Sequence, residues 1–97
     1  MRNFPQLNGF KRAPGIVRLV GHRGARGLMP ENTLEGFEYT LDLDVRALEF
    51  DVLISKDNVP VITHDYKLSA AITRNKSGGW LTNNCPKVNE LTLSELK

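Results

Sequence analysis

The residue pattern predicts an α/β fold: a parallel strand–helix–strand unit that runs on into a β-hairpin. Three observations carry this. A short apolar run, Ile16-Val17-Arg18-Leu19-Val20, is closed by Gly21. A helix-type stretch follows, and a second apolar run, Ala47-Leu48-Glu49-Phe50-Asp51-Val52-Leu53-Ile54, begins within about 40 residues of the first. A third run, Val59-Pro60-Val61-Ile62-Thr63, comes only four residues after the second.

Each element has its own warrant. Residues 1–15 read as an irregular lead-in, punctuated by Pro5, Gly9, Pro14 and Gly15. Ile16–Val20 reads as a mostly buried strand. For the first helix, Asn32 is the expected N-cap and Glu35 the N3 residue of a capping box. Leu34, Phe37 and Leu41 recur at helical spacing, which predicts the buried face. Ser55-Lys56-Asp57-Asn58 is too short for a parallel crossover, so the second and third strands are predicted to pair antiparallel. A four-residue loop sets Ile54 opposite Val59, Asp51 opposite Ile62 and Glu49 opposite His64. Residues 66–90 read as a loop-like insertion rich in Asn, Ser and Gly. Thr92 and Glu95 form a second capping box just before the last residue, Lys97, which predicts a chain cut from a longer protein.

Composition excludes several classes. Thirteen basic residues against eleven acidic give a net charge of +2, a balance that makes no case for a nucleic-acid or membrane footprint. The early basic residues Arg2, Lys11, Arg12 and Arg18 are dispersed and read as solvated. No apolar run approaches the roughly 20 residues of a membrane span. Residues 1–15 lack a signal-peptide pattern, which favours the cytoplasm and leaves a periplasmic or secreted location open. Cys85 is the sole cysteine, has no histidine nearby in sequence, and reads as a spectator thiol rather than a nucleophile.

The polar residues gather at strand ends. Glu49 and Asp51 share a strand face by the period-two rule. Two like charges facing an interior need compensation, which a hard divalent cation supplies through carboxylate oxygens. The alternative is a loop cap or an ion pair with Arg46 or Lys56. His22 stands between Gly21 and Gly24 and is open to three readings: acid–base group, metal ligand or structural histidine. Arg23 offers a donor fork for a phosphate, or else a solvent salt bridge. His64 ends the third strand. Asp65 is expected on the opposite face, in a turn role rather than orienting His64. Taken together, two histidines and a carboxylate-held cation suit phosphodiester hydrolysis, with one histidine removing a proton and the other donating one.

At these residues the sequence resembles the glycerophosphodiester phosphodiesterase family. The signature segments stand here as His22-Arg23-Gly24, Pro30-Glu31-Asn32-Thr33, Glu49-Phe50-Asp51 and His64-Asp65. The resemblance implies the N-terminal portion of a TIM (β/α)8 barrel of phosphatidylinositol phospholipase C-like type, with the β-hairpin and insertion after the second strand. On this reading residues 16–97 are an incomplete phosphodiesterase domain and the barrel continues beyond 97. The resemblance implies His22 and His64 as the catalytic acid–base pair, Glu49 and Asp51 as ligands of Ca²⁺ or Mg²⁺, and Arg23 at the substrate phosphate. Glu31 and Asn32 are supporting residues that shape the loop. The implied reaction is metal-dependent hydrolysis of a small-molecule glycerophosphodiester to glycerol 3-phosphate and an alcohol. The third metal-binding carboxylate of the family comes from a later strand, so a 97-residue piece is expected to be inactive alone and to need the remainder of its chain, a partner or self-association. Two other readings stand beside it: a non-catalytic half-barrel that docks on another polypeptide, and a sphingomyelinase D-like phospholipase.

Overall fold

The computed structural model describes Pro5, Asn8 and residues 14–97. The expected lead-in, with Arg2, Lys11 and Arg12, lies outside the described residues apart from Pro5, Asn8, Pro14 and Gly15. The chain divides into two units, Met1–Glu49 and Phe50–Lys97. No helix among the described residues is long and apolar enough to cross a membrane.

The first unit has the predicted parallel strand–helix–strand order, with its first strand at Gly21–His22 instead of over Ile16–Val20. Strand β1 (Gly21–His22) pairs with β2 (Leu48–Glu49) in parallel, Gly21 opposite Leu48 and His22 opposite Glu49. The Gly21 N–H donates to the Ala47 carbonyl at 2.8 Å. The strand expected over Ile16–Val20 is not among the strands of the described residues, and Val17 is 77% and Leu19 66% exposed. The ladder runs instead from Gly21 opposite Leu48, at the end of the apolar run.

Helix α1 (Leu34–Asp42) is present, with its cap one residue later than expected. Asn32 is held at φ 54°, outside the extended backbone that an N-cap needs. Thr33 is extended instead, and its hydroxyl oxygen accepts the Gly36 N–H at 3.1 Å while the hydroxyl donates to the Pro30 carbonyl at 2.8 Å. The buried face also differs. Leu34 is 75% and Leu41 44% exposed, whereas Gly36 and Thr40 are buried. The reason is close approach of backbone to backbone. A Cβ on Gly36 would stand 3.0 Å from the Pro30 carbonyl oxygen and 3.2 Å from Thr33 Oγ1, tighter than ordinary contact, so a larger residue needs those groups to give way. Thr40 Oγ1 lies 2.8 Å from the Gly24 carbonyl oxygen and 3.0 Å from that of Gly36, tying the helix to the loop after β1. The helix ends in a Schellman motif: Val45 N–H donates to Thr40 and Asp44 N–H to Leu41, with Asp44 in the left-handed position usually held by glycine.

In the second unit the predicted hairpin forms, shifted by one residue. Strand β3 (Val52–Ile54) pairs antiparallel with β4 (Pro60–Ile62), Ile54 opposite Pro60 and Val52 opposite Ile62. The expected pairs Ile54–Val59, Asp51–Ile62 and Glu49–His64 are therefore not rungs of this ladder. The connection causes the shift. Asn58 sits at φ 61° and its N–H donates to Ser55 O at 3.0 Å; Ser55 N–H reaches Val59 O, and Val59 N–H returns to the Ser55 hydroxyl, both at 3.0 Å. This is a turn followed by a left-handed bulge residue, which adds one residue to the returning strand. The second predicted strand is also broken: β2 stops at Glu49 and β3 starts at Val52.

Residues 66–88 fold back on themselves in one antiparallel register centred on Ser77. Val88 N–H donates to Tyr66 O, Leu68 N–H to Pro86 O, Leu81 N–H to Thr73 O and Asn75 N–H to Gly79 O. Bridges Lys67–Lys87 and Arg74–Trp80 lie on the same register. The Asn75 side-chain oxygen closes the tip by accepting from the N–H groups of Ser77 and Gly79. Val88, 1% exposed, opens a single 3-10 turn (Val88–Glu90) and is the buried apolar centre of this unit.

Helix α2 (Leu93–Leu96) carries the predicted Thr92–Glu95 capping box. Asp57, from the β3–β4 turn, accepts the Leu93 N–H at 3.0 Å and the Ser55 hydroxyl at 2.5 Å. The Ser55 hydroxyl, and after it the Leu93 N–H, hold the Asp57 carboxyl below its ordinary value of 3.8. The backbone and hydroxyl of Thr92 likewise lower Glu95. A lowered folded-state pKa gives stability that is complete above the unfolded value and is lost as pH falls through the folded one. The 55–59 turn and α2 are thus expected to loosen only below about pH 4. Amide exchange of Leu93 and Glu95 checks this; protection unchanged between neutral pH and strong acid, after correction for intrinsic rates, would reject it.

Candidate active site

His22 is the last residue of β1, and the parallel rung sets it opposite Glu49. Its Nε2 stands 3.9 Å from Glu49 Oε2, with the imidazole 61% and the carboxylate 45% exposed. That same carboxylate oxygen accepts the Arg23 backbone N–H at 3.0 Å. Arg23 is at φ 49°, an uncommon backbone for a non-glycine residue. Gly24 follows at φ 83°, with N–H contacts to the carbonyls of Gly21 (3.2 Å) and Glu49 (3.3 Å). The strand end is thus a tight crossing in which one carboxylate is held by backbone beside an imidazole.

The Arg23 side chain runs inward, only 11% exposed, and its guanidinium meets Glu31 Oε2 at 3.1 Å. Arg26 Nε reaches the same oxygen at 3.1 Å. Glu31, 18% exposed, therefore joins two guanidinium groups, and the Asn32 N–H closes the loop onto the Arg23 carbonyl at 2.8 Å. Sequence reasoning placed Glu31 only as a loop-shaping residue. Its link to Arg23 crosses a loop whose path no periodicity describes. A depression beside β1, lined by Leu19, Ala25, Leu28, Leu43 and Val45, includes His22 but none of the candidate carboxylates.

In the second unit, Asp51 precedes β3, is partly buried, and its carbonyl accepts the Thr63 N–H at 3.0 Å. Because Phe50 and Asp51 fall in a strand break, the alternation argument for Glu49 and Asp51 does not apply to them. His64 lies beyond the end of β4 at Ile62, and its Nδ1 is 2.7 Å from Asp65 Oδ1. This corrects the expectation that Asp65 points away from His64. Neighbours alternate faces only within a strand, and this pair sits in a bend. An ionised carboxylate only accepts, so Asp65 draws the proton to Nδ1 and directs Nε2 outward.

The carboxylates suit a hard divalent cation in kind, since Glu49 presents oxygen donors that are almost half exposed. In number they fall short: among the described residues no group of three or more His, Cys, Asp or Glu side chains is placed to hold a metal.

The model of the glycerophosphoryl diester phosphodiesterase family matches residues 22–97. The chain belongs to this family. A crystal structure from Silicibacter pomeroyi DSS-3, assigned to the glycerophosphoryl diester phosphodiesterases, is 55% identical and superposes with a TM-score of 0.90, covering 96% of this chain and 31% of that one. The glycerophosphodiester phosphodiesterase of Thermotoga maritima is 34% identical with a TM-score of 0.66, over 84% of this chain and 32% of that one. The mouse glycerophosphoinositol inositolphosphodiesterase is 49% identical over 65 residues, 67% of this chain and 12% of the relative. The chain thus spans less than a third of each of these relatives. The fold is the N-terminal portion of the family's TIM barrel, a partial α/β arrangement.

Proposed function

We propose that this phosphodiesterase-family chain contributes His22 and His64 as the acid–base pair of a metal-dependent hydrolysis that converts a glycerophosphodiester to glycerol 3-phosphate and an alcohol. The observation that carries the reading is the ordered set His22-Arg23-Gly24, Glu31-Asn32, Glu49, Asp51 and His64-Asp65 within the family match over 22–97. Family members generally work with a divalent cation. Here Glu49 and Asp51 would hold Ca²⁺ or Mg²⁺, which when bound supplies positive charge to the phosphoryl oxygens.

The chain's own residues do the rest. One imidazole takes the proton of the attacking nucleophile and the other gives a proton to the departing alkoxide; over the whole reaction one water is consumed, its hydroxyl ending on phosphorus and its proton on the alcohol. His64 exchanges its proton through Nε2, because Asp65 occupies Nδ1. Arg23, fixed by Glu31, adds a cation for the phosphate. Glu31 and Asn32 hold the loop that carries Arg23.

The test is release of glycerol 3-phosphate from glycerophosphocholine and glycerophosphoinositol by the native protein, with Ca²⁺ or Mg²⁺ present and after chelation. Release that disappears on chelation and returns with the cation is expected. No release with either ion, or release indifferent to chelation, would sink the proposal.

Asp65 has its own expected result. Asp65→Asn keeps the shape and removes the obligate acceptor, so the His64 tautomer is no longer imposed. We expect kcat to fall on the order of 10²-fold with KM little changed, and the pH profile to move. An unaltered kcat and profile would remove Asp65 from the mechanism.

A further inference from the structure

The near-neutral charge of the whole chain conceals a local segregation. Residues 66–89 hold Lys67, Arg74, Lys76 and Lys87, and all eleven acidic residues of the chain lie outside this segment. The segment is the long antiparallel excursion described above, closed at its tip by the Asn75 side chain. Two large apolar side chains of this hairpin face solvent: Trp80, three residues past the Ser77 centre, at 55% exposure, and Ile72, further down the incoming arm, at 58%. The Arg74 guanidinium lies over the Trp80 ring, 4.3 Å from its centroid. Nearer the base, Lys87 Nζ stands 5.6 Å from the Tyr66 ring.

We propose that the 66–89 hairpin is a docking element for an anionic lipid surface, with Trp80 and Ile72 seated at headgroup level and Arg74 and Lys76 against the acidic headgroups. An indole at the boundary of water and hydrocarbon satisfies its apolar body and its N–H together. Lysine and arginine next to a negatively charged leaflet gain attraction that fades within a Debye length, so the two cations just before the tip, Arg74 and Lys76, carry most of it. The stacked Arg74–Trp80 pair presents cation and ring as one unit. A lipid surface fits better than a nucleic acid. Arg74 already lies over the indole, the ring on which a base would stack, and Ile72 has no counterpart to bury against along a phosphate backbone. The proposal concerns where the protein sits and stands apart from the hydrolysis.

Trp80 is the only tryptophan of the chain, so its emission reports the tip directly. The experiment is co-sedimentation of the chain with phosphatidylcholine vesicles, with and without phosphatidylserine, at physiological salt, alongside tryptophan emission spectra. Binding confined to the phosphatidylserine vesicles, a blue shift of Trp80 and weakening with added salt are expected. Arg74→Glu with Lys76→Glu should weaken binding at least tenfold. The matched reversal Arg18→Glu with Arg46→Glu, outside the hairpin, should change it less than twofold. Circular dichroism checks that each variant keeps its secondary structure. Trp80→Ala should weaken binding to the same vesicles. No binding, equal loss in the two double variants, or tighter binding to a single-stranded oligonucleotide at the same salt would each overturn the assignment.

Discussion

On the proposed function, His22→Ala and His64→Ala are each expected to lower kcat of the native protein by about 10²–10⁴-fold, the range a positioned general acid or base contributes. The substitutions spare the framework. His22 takes part in the β1–β2 rung through its backbone, and its imidazole is 61% exposed, so truncation leaves little cavity. His64 lies outside β4, with its side chain 42% exposed. Circular dichroism and melting temperature should therefore match the parent while turnover collapses. If both imidazoles serve one concerted step, the double variant should be scarcely slower than the worse single variant, because residues that act as a unit are not additive. Activity retained in both single variants would remove them from the reaction.

Gly21→Ala should cost about 1–3 kcal/mol of stability, the usual range for forcing volume into a packed site, and more if the backbone cannot move. A Cβ at Gly21 would collide with the Gly24 carbonyl oxygen and stand 2.7 Å from the Thr40 methyl and 3.2 Å from Leu48 Cδ2. The Gly24 oxygen cannot retreat cheaply, since it also accepts the Thr40 hydroxyl at 2.8 Å. The methyl group would therefore part the loop after β1 from α1 and disturb the backbone that aims His22 and Arg23. Gly27→Ala is the matched control, because a Cβ there meets nothing within 4 Å. Thermal melts should separate the two by several degrees, at roughly 4–8 °C per kcal/mol for a chain of this size. Equal melting temperatures would show that the crossing of β1, its loop and α1 is not tightly packed.

Much of the molecule was legible in local pattern. The parallel strand–helix–strand order, though not the place of its first strand, the antiparallel sense of β3 and β4, and the Thr92–Glu95 capping box follow from chain length between elements and from cap chemistry. The signature residues could be named because order and spacing are properties of the chain itself, and the family match over 22–97 agrees with them.

What required the tertiary structure has a common cause: contacts made by backbone and by loops carry no periodicity. The hairpin register moved by one residue because Asn58 adopts a left-handed conformation. The helix buried Gly36 and Thr40 instead of its leucines because the loop packs closely on the helix backbone there, and the Thr40 hydroxyl bonds to the Gly24 carbonyl. The cap passed from Asn32 to Thr33 because Asn32 was needed at positive φ to close the loop onto Arg23. Asp65 met His64 because the strand ends two residues before it, which releases the pair from alternation. The residue types, their order and the sense of the strands were determined by the sequence alone. Which atoms of those residues meet was decided by left-handed turns and close backbone crossings, whose energies depend on neighbours distant in the chain.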